Sequence, residues 1–254
     1  MFLGRVGLFI PCYIDQVYPR VGMATVRLLE KLGVSFEFPE DQTCCGQPQF
    51  NSGCFKDAAK LAGKMLRIFK DYDWVVCPSG SCTGMVREYY ELLLERDKES
   101  DDFKHLVSHT FELCEFLIDI LKVETIDGSF PHKVGLHQSC HGLRGLGLGV
   151  PSEQVLPGRI GKVRRLLESL RGIEIVTTGR SDECCGFGGT FSVFEGTVSS
   201  FIGRDRIKDY EQAGAEVIVS YDVSCLMHLD GLIRRDKKPL KVLHIAEVVD
   251  GAVS

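Results

Sequence analysis

Val134-Gly135-Leu136-His137-Gln138-Ser139-Cys140 repeats, at identical spacing, the amino-terminal stretch Val6-Gly7-Leu8-Phe9-Ile10-Pro11-Cys12. Each is a short apolar run, the pattern of a buried strand, that stops just ahead of a lone cysteine. The match continues outward. Arg27-Leu28-Leu29-Glu30-Lys31-Leu32 is echoed by Arg165-Leu166-Leu167-Glu168-Ser169-Leu170, apolar at helical spacing, and each leads through a glycine into an extended stretch, Gly33-Val34-Ser35-Phe36-Glu37-Phe38 or Gly172-Ile173-Glu174-Ile175-Val176. Then come Cys44-Cys45-Gly46 and Cys184-Cys185-Gly186. Further on, Trp74-Val75-Val76 runs to Ser81-Cys82 as Ile218-Val219 runs to Ser224-Cys225, and His109-Thr110-Phe111-Glu112-Leu113 resembles His244-Ile245-Ala246-Glu247-Val248.

The chain is therefore an internal duplication, each copy reading as strand, helix, strand, helix, strand. That order predicts an α/β protein of two pseudo-repeated units with mostly parallel sheets and right-handed crossovers. Cysteines fall at the carboxyl ends of the strands, where open α/β sheets bind ligands. The charged stretch Glu95 to Lys104, an apolar helix expected from about Thr110 to Leu121 and the turn-rich Asp127-Gly128-Ser129-Phe130-Pro131 separate the units. The expected division is 1–130 and 131–254.

Composition narrows the function classes. With Lys+Arg 30 against Asp+Glu 35, the chain lacks the basic stripe that nucleic-acid binding needs. The amino end, Phe2 to Ile10, is cut by Gly4 and Arg5 and stops at Pro11, so it reads as a strand and not as a signal peptide. No window approaches the apolar run of about 20 residues that crosses a bilayer, so direct membrane insertion is not expected. Eleven cysteines without a secretion signal imply reduced thiols available as ligands, and a cytoplasmic location.

The duplication itself sorts the cysteines. A ligand imposed by a shared geometry recurs in both copies, and four pairs do: Cys12 with Cys140, Cys44 with Cys184, Cys45 with Cys185, and Cys82 with Cys225. Four thiolates per copy suit an iron–sulfur cluster, of [4Fe–4S] or [2Fe–2S] type. Two four-cysteine zinc sites remain an alternative, although zinc knuckles favour closely spaced pairs and here the ligands lie tens of residues apart. Thiol chemistry alone would show CxxC near an early βαβ unit, which is missing. Cys77 falls opposite Ser220 and is a candidate extra ligand; Cys54 and Cys114 have no counterpart and read as structural.

Around the thiols, Gly46, Gly186, Gly188 and Gly189 would let backbone amides approach the sulfurs of an inorganic core. His137, His141 and Arg144 surround Cys140 where the first copy has Phe9, Tyr13 and Gln16, and Asp222 precedes Cys225 by three residues. A histidine and an arginine beside a thiolate site can stabilise its more negative state or relay protons, although such residues are more often ordinary surface polar groups.

The doubled arrangement of a lone Cys, a Cys-Cys-Gly and a later Cys resembles the cysteine-rich CCG domain of heterodisulfide reductase B subunits, the glycolate oxidase iron–sulfur subunit and lactate-utilisation proteins. Phe38-Pro39-Glu40, Cys44-Cys45-Gly46-Gln47-Pro48, Pro78-Ser79-Gly80-Ser81-Cys82, the run Cys184 to Val193 and His244-Ile245-Ala246-Glu247-Val248 are similar to the LutA/YkgE lactate-utilisation family. The resemblance implies one or two iron–sulfur clusters, most simply [4Fe–4S], in an electron-transfer subunit of a cytoplasmic complex that oxidises L-lactate to pyruvate. Its implied partners are a ferredoxin-type iron–sulfur protein and a third subunit. The heterodisulfide reductase pattern ends each copy with CxxC, and here Ser79 and Asp222 occupy the first of those positions, which favours four cysteines per copy, with Cys77 the candidate fifth in the first. A catalytic thiol-disulfide reductase subunit is the alternative, and a scaffold whose clusters are structural is a third.

Overall fold

The computed structural model describes residues 3–154 and 160–252; Phe2 of the expected first strand lies outside them. The first copy contains β1 (Val6–Leu8), α1 (Cys12–Val17), α2 (Pro19–Lys31), α3 (Gln47–Asn51), α4 (Phe55–Phe69) and β2 (Trp74–Cys77). It continues through α5 (Gly80–Gly84), a π-helical turn at Met85–Tyr89, α6 (Tyr90–Leu93), α7 (Asp101–His109), β3 (Thr110–Glu112), α8 (Leu113–Glu115) and a π-helical turn at Phe116–Ile120. The second copy contains β4 (Lys133–His137), a π-helical turn at His141–Gly145, α9 (Lys162–Glu168), β5 (Glu174–Ile175), α10 (Phe191–Phe194) and α11 (Gly196–Gln212). It ends with β6 (Val217–Ser220), α12 (Val223–Arg235), β7 (Lys241–His244) and α13 (Ile245–Ala252).

The expected α/β architecture is what the chain adopts. One sheet runs β1-β2-β3 and the other β5-β4-β6-β7, and every pairing is parallel. Val6, Leu8, Val75, Val76, Val217, Ile218 and Val219 are buried, as strands covered on both faces require. The extended stretch expected at Gly33 to Phe38 reduces to one parallel bridge, Glu37 to Gly7, which holds the edge that β5 holds in the second copy. With that bridge counted, the two sheets share one strand order.

One expectation is corrected. The helix predicted from Thr110 begins at Leu113, because Thr110–Glu112 pairs with β2 as a strand. Helical periodicity of the apolar residues carried the prediction, but sheet pairing of Thr110 and Phe111, good strand formers, decides the outcome. Glu112, fully buried, then caps α8: its Oε2 accepts from the Cys114 amide at 2.7 Å and the Glu115 amide at 3.3 Å. Since the strands end at Glu112 and His244, the structural counterpart of Glu247 is Glu115, not Glu112.

The two copies exchange helices. Pro19 starts α2, and Val21, Ala24, Thr25, Leu28 and Leu29 form its buried stripe at helical spacing. The helix that covers α2 is α13, from the other copy, and α8 correspondingly packs on α9. One core cluster accordingly contains Leu28 and Leu29 with Val248 and Val249, and Leu113 and Leu117 with Leu166 and Leu167. At the rim of the α2 contact, Asp250 meets Arg27 at 2.7 Å and Lys31 at 3.3 Å, and Glu247 meets Arg20 at 3.0 Å. Because the basic partners are half exposed, such pairs contribute about 1 kcal/mol at most, and apolar burial dominates the contact.

A fragment of residues 1–130 would leave the apolar stripe of α2 uncovered. It is expected to be aggregated or loosely packed, and the full chain to unfold in one transition. Circular dichroism and amide hydrogen exchange on both test this; a fragment that melts cooperatively on its own would contradict it.

Candidate metal centre

Cys12 opens α1 directly after β1, and Cys140 follows β4 at the start of a π-helical turn. Cys82 lies in α5 beyond β2, and Cys225 in α12 beyond β6. Each adjacent cysteine pair sits in the loop ahead of the next helices, where Gly46 and Gly186 both adopt φ +89°. That left-handed turn is open to glycine and strained for other residues. It directs the Gly46 amide to the Cys44 sulfur at 3.4 Å and the Gly186 amide to the Cys184 sulfur at 3.2 Å, with the Phe187 amide 3.5 Å from the Cys185 sulfur.

All eight repeated cysteines line one cavity of about 140 Å³ between the two copies. Cys12 and Cys44 bring their sulfurs to 3.5 Å, as do Cys45 and Cys82. In the second copy the Cys184 thiol hydrogen-bonds with those of Cys140 and Cys185, and Cys185 with Cys225. Every one of the cysteines is a free thiol. Cys54 is exposed and Cys114 is buried, and neither reaches the cavity. Cys77, fully buried at the end of β2, lies behind Cys82: it hydrogen-bonds with that thiol and points its own toward the Ser79 carbonyl at 3.7 Å.

The thiols alternate in acidity. Bonds from Cys12 and Cys45 pull Cys44 down to about 3, and bonds from Cys45 and Cys77 pull Cys82 down to about 5. The thiols that donate, Cys12 and Cys45, are pushed up by those same bonds and by burial. In the second copy Cys140 and Cys185 pull Cys184 down to about 2, and both are themselves raised. For Cys225 the bond from Cys185 lowers the pKa, but burial and the Asp222 charge outweigh it and the net shift is upward. A buried set of thiols this close together is what a cation relieves: ligation releases their protons and replaces sulfur repulsion with metal–thiolate bonds. The donor set, eight soft sulfurs with backbone amides aimed at three of them, fits iron–sulfur or zinc ligation and no hard cation.

Ser79 and Asp222, at corresponding positions three residues before Cys82 and Cys225, act as helix caps. Ser79 Oγ accepts from the Cys82 amide at 3.4 Å; Asp222 Oδ1 accepts from the Ser224 amide at 3.1 Å. Asp222 also joins the copies, since its Oδ2 accepts from the Ser81 amide at 2.7 Å across the cavity. Further links are the Gln47 to His141 contact at 3.2 Å and the edge-on rings of Tyr13 and Phe187 at 6.0 Å. Gly188 and Gly189 line the cavity, and a Cβ on Gly189 would stand 2.9 Å from Asn51 of the other copy.

Of the histidines and arginine singled out, His141 lines the cavity, whereas Arg144 turns outward to Asp182 at 3.4 Å. His137 is buried beneath the thiols, where burial pushes its imidazole down to about 4 and the nearby Arg206 pushes in the same direction. Several partners were invisible in the sequence. Ser139 takes φ +40° to turn the chain between β4 and Cys140, Tyr90 donates to the Cys45 carbonyl at 2.9 Å, and Tyr221 packs against Gly80 and Gly142. None carries a local motif, because each acts through residues far along the chain.

Four soft thiol donors, set twice at the carboxyl ends of parallel strands, define the class of site. The family comparison agrees: the CCG cysteine-rich domain matches residues 6–87 and 134–230, and the chain belongs to that family. Among its relatives is Lactate utilization protein A of Geobacillus thermodenitrificans (strain NG80-2), 43% identical over 246 residues, covering 97% of this chain and 98% of that one. Lactate utilization protein A of Bacillus subtilis (strain 168) is 41% identical over 246 residues, covering 97% and 99%. Among the described residues no helix is long and apolar enough to cross a membrane.

The turns at the cysteine pairs carry a prediction. A Cβ on Gly186 would lie 2.6 Å from the Ser199 carbonyl oxygen, and one on Gly46 3.3 Å from that of Ala58. Gly186→Ala is expected to lower stability by about 1–3 kcal/mol, and Gly46→Ala by less, since both strain the backbone but only the first also collides with it. Thermal denaturation of the two variants measures this; an unchanged melting temperature for Gly186→Ala would contradict the turn's role.

Proposed function

We propose that this chain is an iron–sulfur electron-transfer subunit of a cytoplasmic system that oxidises L-lactate to pyruvate. The observation that carries the reading is the convergence of eight repeated thiols, four from each copy, on one cavity. Cys12, Cys44, Cys45 and Cys82 would hold one cluster and Cys140, Cys184, Cys185 and Cys225 another, most simply of [4Fe–4S] type. Such clusters supply one-electron transfer at potentials set by their ligands, by hydrogen bonds to sulfur and by burial.

The protein's own groups would then do the following. The Gly46, Gly186 and Phe187 amides stabilise negative charge on the sulfurs they face. Cys45, Cys82, Cys185 and Cys225 are buried, which keeps water from the inner sulfurs, while the exposed Cys140 and the partly exposed Cys12, Cys44 and Cys184 form the side open to an electron partner. Lactate enters the proposal through the names of the relatives at about 40% identity over almost the whole chain. A ferredoxin-type iron–sulfur protein and a third subunit are the partners proposed, with turnover a property of the complex. Val193, Phe194, Val198 and Phe201, exposed just after the Cys184 to Gly189 segment, supply apolar surface suited to such contact.

The thiol-disulfide reductase reading draws on one observation: His141, a potential acid, lines the same cavity as the thiols. Anaerobic purification followed by iron and acid-labile sulfide analysis tests the leading reading. Iron and sulfide in equal amounts are expected, with Cys45→Ser and Cys185→Ser each losing about half of both. A colourless protein loaded with zinc would refute it, and disulfide reduction by the isolated chain with a low-potential donor would favour the alternative. Wholesale unfolding of both variants would favour a scaffold.

A further inference from the structure

The two copies differ beneath the thiols. At the end of the first strand of each sheet, where Phe9 follows β1, the second copy has His137 as the last residue of β4. His137 is 1% exposed; its Nδ1 lies 3.2 Å from the Tyr210 hydroxyl, and its Nε2 is buried with no hydrogen-bonding partner among the described residues. A ring nitrogen of His137 and the sulfurs of Cys185 and Cys225 all lie within 4.8 Å of one another.

The far side of the ring is firmly held. Arg206, fully buried, donates to the Tyr210 hydroxyl at 2.7 Å and to the Arg180 carbonyl at 2.7 Å, and is paired with Asp209. Histidines that bind metals characteristically spend one ring nitrogen on such a fixed partner, which orients the other. Left without a partner, a buried ring nitrogen is a net cost, so the arrangement is unexplained by packing alone. The first copy has no equivalent, since Phe9 cannot ligate. On the neighbouring strand the first copy has Cys77 where the second has Ser220, but Cys77 lies behind Cys82, its thiol on the Ser79 carbonyl.

We infer that His137 Nε2 is a ligand of the metal centre of the second copy, so that the chain carries two chemically different centres, one held by sulfur alone and one by sulfur and imidazole. The inference rests on the iron–sulfur reading above. His137 would add a neutral nitrogen donor to the four thiolates of the second copy, at the position where the first copy has Phe9.

Pulsed electron paramagnetic resonance on the intact chain, purified anaerobically, reduced with dithionite and labelled with ¹⁵N-imidazole histidine, tests the assignment. A histidine nitrogen coupled directly to the reduced centre is expected, with loss of that coupling in His137→Phe and its retention in His141→Phe. Tyr210→Phe, which removes only the hydroxyl at Nδ1, is expected to shift the coupling without abolishing it, and serves if His137→Phe does not fold. Iron and sulfide present without any histidine coupling, or a coupling indifferent to both His137→Phe and Tyr210→Phe, would overturn the inference and leave the cluster reading intact. A chain without iron and sulfide would overturn both.

Discussion

Two sulfurs on adjacent residues must face one small space, and the backbone can do this here only through the left-handed turn that Gly46 and Gly186 provide. The rest of the site is arranged around that constraint. The turn rests on the next long helix of its own copy, Gly46 against Ala58 and Gly186 against Ser199, and the remaining cysteines arrive from the ends of neighbouring parallel strands. Because those strands are short and buried on both faces, their ends are fixed by the core and the thiols inherit that rigidity.

Exchange of the last helix of each copy has a consequence for the site. With α13 on α2 and α8 on α9, the two copies share one of their apolar core clusters, and the cavity between them cannot open without breaking that packing. Asp222 reaching the Ser81 amide and His141 meeting Gln47 add polar links at the cavity itself. The cavity is therefore a fixed interface between the two copies.

Much of this was legible in the sequence because duplication supplies its own comparison. The match of Val6-Gly7-Leu8 with Val134-Gly135-Leu136 identified the leading strands, and pairing of cysteines between copies separated the eight that line the cavity from Cys54 and Cys114. What escaped was set by tertiary contact. Thr110 to Glu112 joins a sheet in spite of its helical periodicity, since β2 lies beside it. Arg144 follows Cys140 closely in sequence yet faces solvent, whereas His137 lies beneath the thiols, held by Tyr210 and Arg206 from a helix about seventy residues away. Ser79 and Asp222, which interrupt the expected CxxC, prove to be the caps that start the helices carrying Cys82 and Cys225.

The proposed function requires two iron centres, one per copy, facing a common cavity. Anomalous diffraction at the iron edge from crystals grown without oxygen measures this directly. Two iron peaks are predicted, one bounded by the sulfurs of Cys12, Cys44, Cys45 and Cys82 and the other by those of Cys140, Cys184, Cys185 and Cys225. Anomalous signal at the zinc edge alone, or iron bound away from these sulfurs, would contradict an iron centre in each copy.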